Sequence, residues 1–273
     1  MKNIAIGQYY PSGSVLHRLD PRMKIVLAVL YIVCSFLCKN ILSFALLLLS
    51  SILLIAVAKI PLRTVLGGLK AILIVLIFTS AINIFLTQGD HALVEWKFIH
   101  IYAEGIYAAA FMVVRIMTLI IGTGMFLTYT TTPIELTDAL EDLLSPLKKL
   151  HVPVHEFAMM MTIALRFIPT LVEETDKIVT AQKARGADFS EGGLIRRIKS
   201  LIPIIIPLFA SAFNRAGDLA IAMEGRCYHG GEGRTRLHVR HLRVRDFIPL
   251  VLVILFGAAL VVLNRIGFGY TMP

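Results

Sequence analysis

Charge is what this 273-residue sequence has little of: Asp, Glu, Lys and Arg make up 16% of it, against about 25% in soluble domains. With 57% hydrophobic residues and a mean hydropathy of +0.77, a purely soluble enzyme is excluded and an integral membrane protein is expected. Cysteine is scarce too. Cys34, Cys38 and Cys227 are too few for a disulfide framework and lack the paired spacing of a zinc site. Cys34 and Cys38, four residues apart, are read as small apolar residues on one helical face. No short apolar core followed by a small-residue cleavage site opens the chain, so no removable signal peptide is expected.

What the sequence does have is long apolar runs. Five segments read as membrane spans, at residues 25–37, 41–58, 71–86, 105–130 and 247–263; the first and third are short. Lys39-Asn40 between the first two fits a tight turn at a membrane face better than a bilayer centre. With the N-terminus in the cytoplasm, 23 of the 27 lysines and arginines fall inside and only Lys39, Lys97 and Arg265 outside, leaving Arg115 within a span. So lopsided a split is what the positive-inside rule predicts. The basic balance, with a pI near 9.6, is therefore a topology signal with some attraction to anionic lipid heads; nucleic acid is not an expected partner. Arg115 is costly in an apolar run and is read as a structural pairing.

Residues 131–246 change character, because apolar positions now recur at helical spacing. The organisation expected is a membrane region at 1–130, a cytoplasmic module at 131–245 and a final span with a short outer tail at 246–273. The module reads as three amphipathic helices. The first starts at Thr132-Pro133, with Glu135 and Asp138 in its early turns, and ends near residues 147–149. The second covers about 153–185, with Val154, Phe157, Ala158, Met161, Leu165 and Ile168 on its apolar stripe and Glu173, Glu174 and Asp176 on its polar face. The third covers about 193–226. Pro169 in the second and Pro203 and Pro207 in the third are expected to bend them. At about 33 residues each, these two helices reach roughly 50 Å, too long for the hairpin of a small domain.

Their ends are alike: Ala-Gln-Lys-Ala-Arg-Gly-Ala at 181–187 and Ala-Met-Glu-Gly-Arg-Cys-Tyr at 222–228. One arginine at a helix C-terminus is usually a complement to the macrodipole, contributing about 0.3–1 kcal/mol. Two on consecutive long helices point to docking, because small neighbours admit a partner's surface and the guanidinium fork pairs with a carboxylate at two points.

At these residues the chain resembles the transmembrane T component of energy-coupling factor (ECF) transporters, the EcfT/CbiQ family, whose hallmark is a pair of Ala-Arg-Gly-type motifs ending two coupling helices. Ala184-Arg185-Gly186 matches outright. Gly225-Arg226-Cys227 keeps the arginine but has neither the alanine before it nor the glycine after it. Residues 16–24 (Leu-His-Arg-Leu-Asp-Pro-Arg-Met-Lys), 165–169 (Leu-Arg-Phe-Ile-Pro) and 230–236 (Gly-Gly-Glu-Gly-Arg-Thr-Arg) are similar to the family as well. The resemblance implies an all-α polytopic membrane protein with about five transmembrane helices and long cytoplasmic coupling helices. It implies a non-catalytic subunit of a vitamin or micronutrient importer in a prokaryotic plasma membrane. Its partners would be two ABC-type ATPase subunits, docked through Arg185 and Arg226, and a membrane-embedded substrate-binding S component, with Ala210, Ser211 and Ala212 allowing close packing.

Other classes find less support in the residues. His151 and His155 have no third metal ligand in view. The acidic cluster at 173–176 reads as a solvated face. Gly230-Gly231-Glu232-Gly233 lacks the Gly-Lys-Ser/Thr ending of an ATP-binding loop, so no nucleotide, metal or other cofactor is expected. A conventional ABC permease is the nearest alternative, since residues 184–187 followed by Ile202-Pro203 loosely match its coupling loop. That loop is normally single.

Overall fold

The computed structural model describes residues 9–87, 92–96, 99–187, 193–231 and 242–266. Helices dominate in chain order: α1 (Pro21–Leu37), α2 (Ile41–Ala58), α3 (Leu62–Leu86), α4 (Ala103–Thr123), α5 (Pro133–Leu143), α6 (Val154–Ala184), α7 (Leu194–Glu224) and α8 (Val244–Ile266). The expected outer loop contains a small antiparallel hairpin, β1 (Ala92–Trp96) and β2 (Ile99–Tyr102), with Trp96 opposite Ile99. The fold is otherwise the all-α architecture expected, and it divides into two compact units. One comprises residues 7–136 with 240–273, the other 1–6 with 137–239.

The first unit is built around α1. Asp20 caps the helix by accepting from the Arg22 N–H, and Pro21 takes the first turn, where a missing N–H costs nothing. The Tyr31 hydroxyl lies 2.8 Å from Ser51 Oγ of α2, and Asn264 of α8 donates to the Leu37 carbonyl and accepts from Ser43 Oγ at 2.9 Å. The Lys24 ammonium donates to the Thr130 carbonyl at 2.7 Å, just past α4. These contacts fix directions: α8 runs parallel to α1, whereas α2 and α4 run against it. The starts of α1 and α8 thus share a face with the ends of α2 and α4. Arg18, Arg22, Lys24, Lys59, Arg63, Arg243 and Arg245 flank helices there, while Lys39 and Arg265 flank the opposite ends. The charge asymmetry read along the chain is thus an asymmetry in space.

Leu27, Leu47, Met125 and Leu260 are fully buried around Tyr31. Gly122 of α4 is what lets that ring come so close to the helix, because a Cβ there would overlap the Tyr31 ring edge. Gly122→Ala is expected to lower stability in detergent by about 1–3 kcal/mol through overpacking, read as a drop in thermal unfolding temperature. An unchanged midpoint would show that the ring simply moves aside. Beyond Thr123 the helix widens into a π-helical turn, Gly124–Thr128, where the Tyr129 N–H reaches back to the Gly124 carbonyl at 2.9 Å.

Helices long and apolar enough to cross a membrane include α2, α8, and α4 together with its π turn; α3 meets the same test when its two segments Leu62–Lys70 and Ile72–Leu86, bent by 59°, are taken together. Residues Ile198–Glu224 of α7 meet the same length and composition test at a mean hydropathy of 1.3, well under the 2.8 of α2 and 2.7 of α8. Helix α1, at 17 residues, rises about 25 Å, slightly less than the roughly 30 Å hydrocarbon thickness.

Arg115 of α4 takes the structural role expected of it. Its guanidinium donates to the Cys38 carbonyl at 2.9 Å and lies 5.2 Å from the centre of the Phe44 ring. It thereby satisfies a backbone group left open where the chain turns from α1 into α2.

Candidate docking site at two helix ends

The second unit contains most of α5 and all of α6 and α7. Thr132 and Glu135 form a capping box at the start of α5: the Glu135 N–H donates to Thr132 Oγ1 at 3.3 Å, and the Thr132 N–H donates to Glu135 Oε2 at 3.2 Å. Helix α5 ends at Leu143, short of the expected 147–149, and a 3₁₀ segment at Ser145–Leu150 follows where Pro146 breaks the α pattern. Helix α6 then runs unbroken through Pro169, and α7 through Pro203 and Pro207.

A proline at 207 removes the N–H that would have bonded the Pro203 carbonyl. The Gln182 side-chain amide from α6 takes that place, donating to the Pro203 carbonyl at 3.4 Å. Eight residues earlier on α6, Glu174 accepts from the Arg215 guanidinium of α7 at 2.9 Å, and Arg215 also donates to Ser211 Oγ at 3.4 Å. Contacts 182 to 203 and 174 to 215 progress in opposite senses, so the helices pack antiparallel. Glu174 is therefore an interhelical residue, where the solvated-face reading placed it in water. Ser211 is likewise engaged with α6 through Glu174, while of the other two small residues expected to receive a partner Ala210 is exposed and Ala212 half-buried.

The Ser211 hydroxyl, followed by the Arg215 charge, holds the Glu174 carboxyl below its ordinary range. A carboxylate whose pKa is depressed on folding stabilises the fold above its unfolded value and loses that contribution as the pH falls through the folded value. The α6–α7 contact is accordingly expected to be intact at neutral pH and to loosen only in strong acid. Amide protection of residues 174–182 followed against pH checks this; loss of protection already near pH 6 would contradict it.

Both helices end in the same turn. At the end of α6 the Ala187 N–H bonds the Gln182 carbonyl and the Gly186 N–H bonds that of Lys183, both at 3.0 Å, with Gly186 at φ +85°. At the end of α7 the Tyr228 N–H bonds the Met223 carbonyl at 3.1 Å and the Cys227 N–H bonds that of Glu224 at 2.9 Å, with Cys227 at φ +55°. Each is a Schellman motif, a six-to-one bond enclosing a five-to-two bond around one left-handed residue. The missing glycine of the second motif leaves the turn intact: Cys227 adopts the left-handed conformation that Gly186 adopts in the first. Arg185 and Arg226 hold the identical position, immediately before the left-handed residue. Ala184 and Gly225 precede them in turn.

Left-handed backbone costs a residue bearing a Cβ about 1–2 kcal/mol. Cys227→Gly is thus expected to stabilise the α7 terminus by about 1 kcal/mol, visible as slower hydrogen exchange at residues 227 and 228. Faster exchange would show that the thiol makes a compensating contact.

Both arginines are exposed, and among the described residues neither guanidinium meets a hydrogen-bond or ion-pair partner. Each stands eleven residues beyond its own member of the Glu174–Arg215 pair, about 16 Å along its helix. Because the helices are antiparallel, the two cations occupy opposite ends of the pair, up to about 33 Å apart. A macrodipole complement needs no such symmetry, nor two bare forks.

After α7 the chain returns to the start of α6, where Gly231 lies so close to the His155 ring that a Cβ would overlap it. His155 Nδ1 in turn lies 3.0 Å from Glu141 Oε1. Among the described residues no group of three His, Cys, Asp or Glu is placed to hold a metal ion. The rest of the glycine-rich stretch, residues 232–236, lies outside the described residues, as does Gly192. On the lateral surfaces, Phe157 and Met161 of α6 and Ile198, Ile205, Phe209 and Phe213 of α7 are exposed. Much of both apolar stripes is therefore open within this unit.

Residues 12–237 match the family model CbiQ, described as a cobalt transport protein. A curated protein of Clostridium kluyveri, an energy-coupling factor transporter transmembrane protein EcfT, is 49% identical over 270 residues, covering 98% of this chain and 99% of the relative. Proteins of the same name in Ruminiclostridium cellulolyticum and Bacillus subtilis are 53% and 44% identical, over 92% and 95% of this chain and 92% and 98% of theirs. The membrane-spanning helices, the two long helices with matched ends and this end-to-end similarity together make the chain a member of the CbiQ/EcfT family of energy-coupling factor transporter transmembrane proteins.

Proposed function

We propose that this subunit transmits ATP-driven motion from two ATPase subunits to a membrane-embedded S component that captures a vitamin or similar micronutrient. Residues 131–245 act as the cytoplasmic coupling module, and the first membrane region and α8 anchor it, with the N-terminus inside and the C-terminus outside. Arg185 with Ala184 and Gly186 docks in one ATPase; Arg226 with Gly225 and Cys227 docks in the other. The observation that carries this reading is the pair of matched helix ends, each presenting an exposed guanidinium eleven residues from a common ion pair. Two equivalent docks at opposite ends suit a symmetric partner pair, one ATPase at each.

When ATP draws the ATPases together, the two docks are drawn with them. Helices locked at Glu174–Arg215 and Gln182–Pro203 transmit that displacement to their apolar faces, on which the S component rests. The chain itself hydrolyses nothing. Purification in mild detergent with mass spectrometry of the accompanying subunits tests the assignment: two ABC-type ATPases and a small hydrophobic membrane protein are expected. Recovery with an external solute-binding protein would point instead to a conventional permease. A reporter at Gly231 is expected to read cytoplasmic and one at Gly89, outside the described residues, extracytoplasmic.

A further inference from the structure

We propose that a pocket where α8 and the turn before α1 meet is a binding site for one anionic phospholipid of the leaflet facing the cationic side of the membrane region. The pocket, about 410 Å³, is lined by Val15, Arg18 and Leu19 from the segment before α1 and by Arg243, Arg245, Asp246, Ile248 and Pro249 from the start of α8. Both elements are at the beginnings of parallel helices, so the pocket lies at the level where the chain enters the bilayer.

Charge selects the occupant. Three arginines line the space with a single aspartate, a net positive charge of two, and the aspartate's carboxylate is already engaged by a backbone N–H. Asp246 is 5% exposed and accepts from the Arg243 backbone N–H at 2.8 Å, closing the first turn of α8. Among the described residues, Arg18, Arg243 and Arg245 have no hydrogen-bond or ion-pair partner for their side chains beyond what the pocket would supply. Arginine forks match phosphate oxygens in two-point geometry, and the positive end of the α8 dipole adds to the same field.

The other wall is apolar, and this separates a lipid from a soluble phosphate. Val15 is 68% exposed and Ile248 is 57% exposed, with Pro249 beside them. A free phosphate would leave those surfaces in water, whereas a phospholipid covers them with the upper part of an acyl chain while its headgroup meets the arginines. Phosphatidylglycerol has the required single negative charge; zwitterionic phosphatidylcholine brings its own cation and gains less from the arginines.

The test uses the full-length protein in neutral detergent, titrated with phosphatidylglycerol and followed by native mass spectrometry. One tightly held phosphatidylglycerol per chain is expected, with phosphatidylcholine at least about tenfold weaker. Arg18→Gln/Arg243→Gln/Arg245→Gln is expected to weaken the bound phosphatidylglycerol by about tenfold or more. Lys59→Gln/Arg63→Gln/Lys70→Gln, which removes three positive charges from residues that do not line the pocket, is expected to keep it. If the pocket triple variant cannot be recovered folded, Arg245→Gln alone is read in the same titration and is expected to shift it in the same direction. Equal weakening by both triple variants would show diffuse attraction and overturn the site. Binding of glycerol phosphate as tight as that of the lipid would overturn the assignment to a lipid. So would a pocket variant that keeps phosphatidylglycerol but loses accompanying protein subunits, which would identify the pocket as a protein contact.

Discussion

Replacing both arginines proposed to dock the ATPases, as Arg185→Ala/Arg226→Ala, is expected to release those subunits and abolish substrate uptake while the protein still inserts in the membrane. The reasoning is a comparison of magnitudes. An exposed arginine at a helix end contributes about 0.3–1 kcal/mol to its own helix, so losing two leaves the fold standing. A guanidinium buried in a partner's groove is different, because its removal strands the partner's carboxylate or carbonyl at about 2–5 kcal/mol per site. Losing one dock weakens one attachment and leaves a partial complex; losing both removes the linkage. Arg185→Lys sharpens the distinction, since lysine keeps the charge that a helix end requires but not the planar fork that two-point pairing requires. Uptake assays with co-purification of the ATPases measure both outcomes. Normal uptake by the double alanine variant would sink the docking mechanism.

The sequence displayed these arginines and the reason to notice them, the repetition of one ending on two consecutive helices. It did not display the equivalence of the turns. Gly186 declares a left-handed residue because glycine is common there, whereas Cys227 adopts the same conformation against its own preference, held by the backbone bonds from residues 227 and 228 to Glu224 and Met223. A residue type cannot announce a conformation imposed on it.

Long-range polar contacts were hidden for a related reason. Arg115 stood out as a charge in an apolar run, but its acceptor is the Cys38 carbonyl, and backbone acceptors carry no sequence signal. Glu174 looked like one of several acids on a wet face, and only the antiparallel packing of α7 identifies it as the member that meets Arg215. The spans were legible because hydropathy is a property of contiguous residues. The one extra helix passing that test, α7, shows the limit of composition: its apolar content suits a bilayer or a partner's surface equally.

Lys24 is the clearest case of a residue whose importance the sequence understated, because there it counted as a positive charge before the first span and as the last residue of a family-like stretch, with no structural role attached. In the fold it is 1% exposed. Its ammonium donates to the Thr130 carbonyl at 2.7 Å and to Thr131 Oγ1 at 3.2 Å, tying the first turn of α1 to the chain leaving the π turn after α4. The His17 carbonyl lies at 3.4 Å from the same nitrogen, which draws in the segment before α1, itself fixed by the Ser12 hydroxyl donating to the Ala58 carbonyl at 2.7 Å. One buried cation thus gathers the ends of three helices at the cationic face. Lys24→Met keeps the apolar stem but leaves these acceptors without their donor, and hydrogen bonds to a charged group are worth about 1.5–3 kcal/mol. A loss of about 3 kcal/mol is therefore expected, read as a large fall in thermal stability in detergent and in the level of protein recovered from the membrane. Lys24→Arg should restore little, because the planar fork is wider than a site shaped for a compact ammonium. A methionine variant as stable as the parent would mean that water replaces the ammonium at Thr130, and the join between α1 and α4 would then rest on the packing of Tyr31 against Gly122 and Phe126 and on the Arg115 bond to the Cys38 carbonyl.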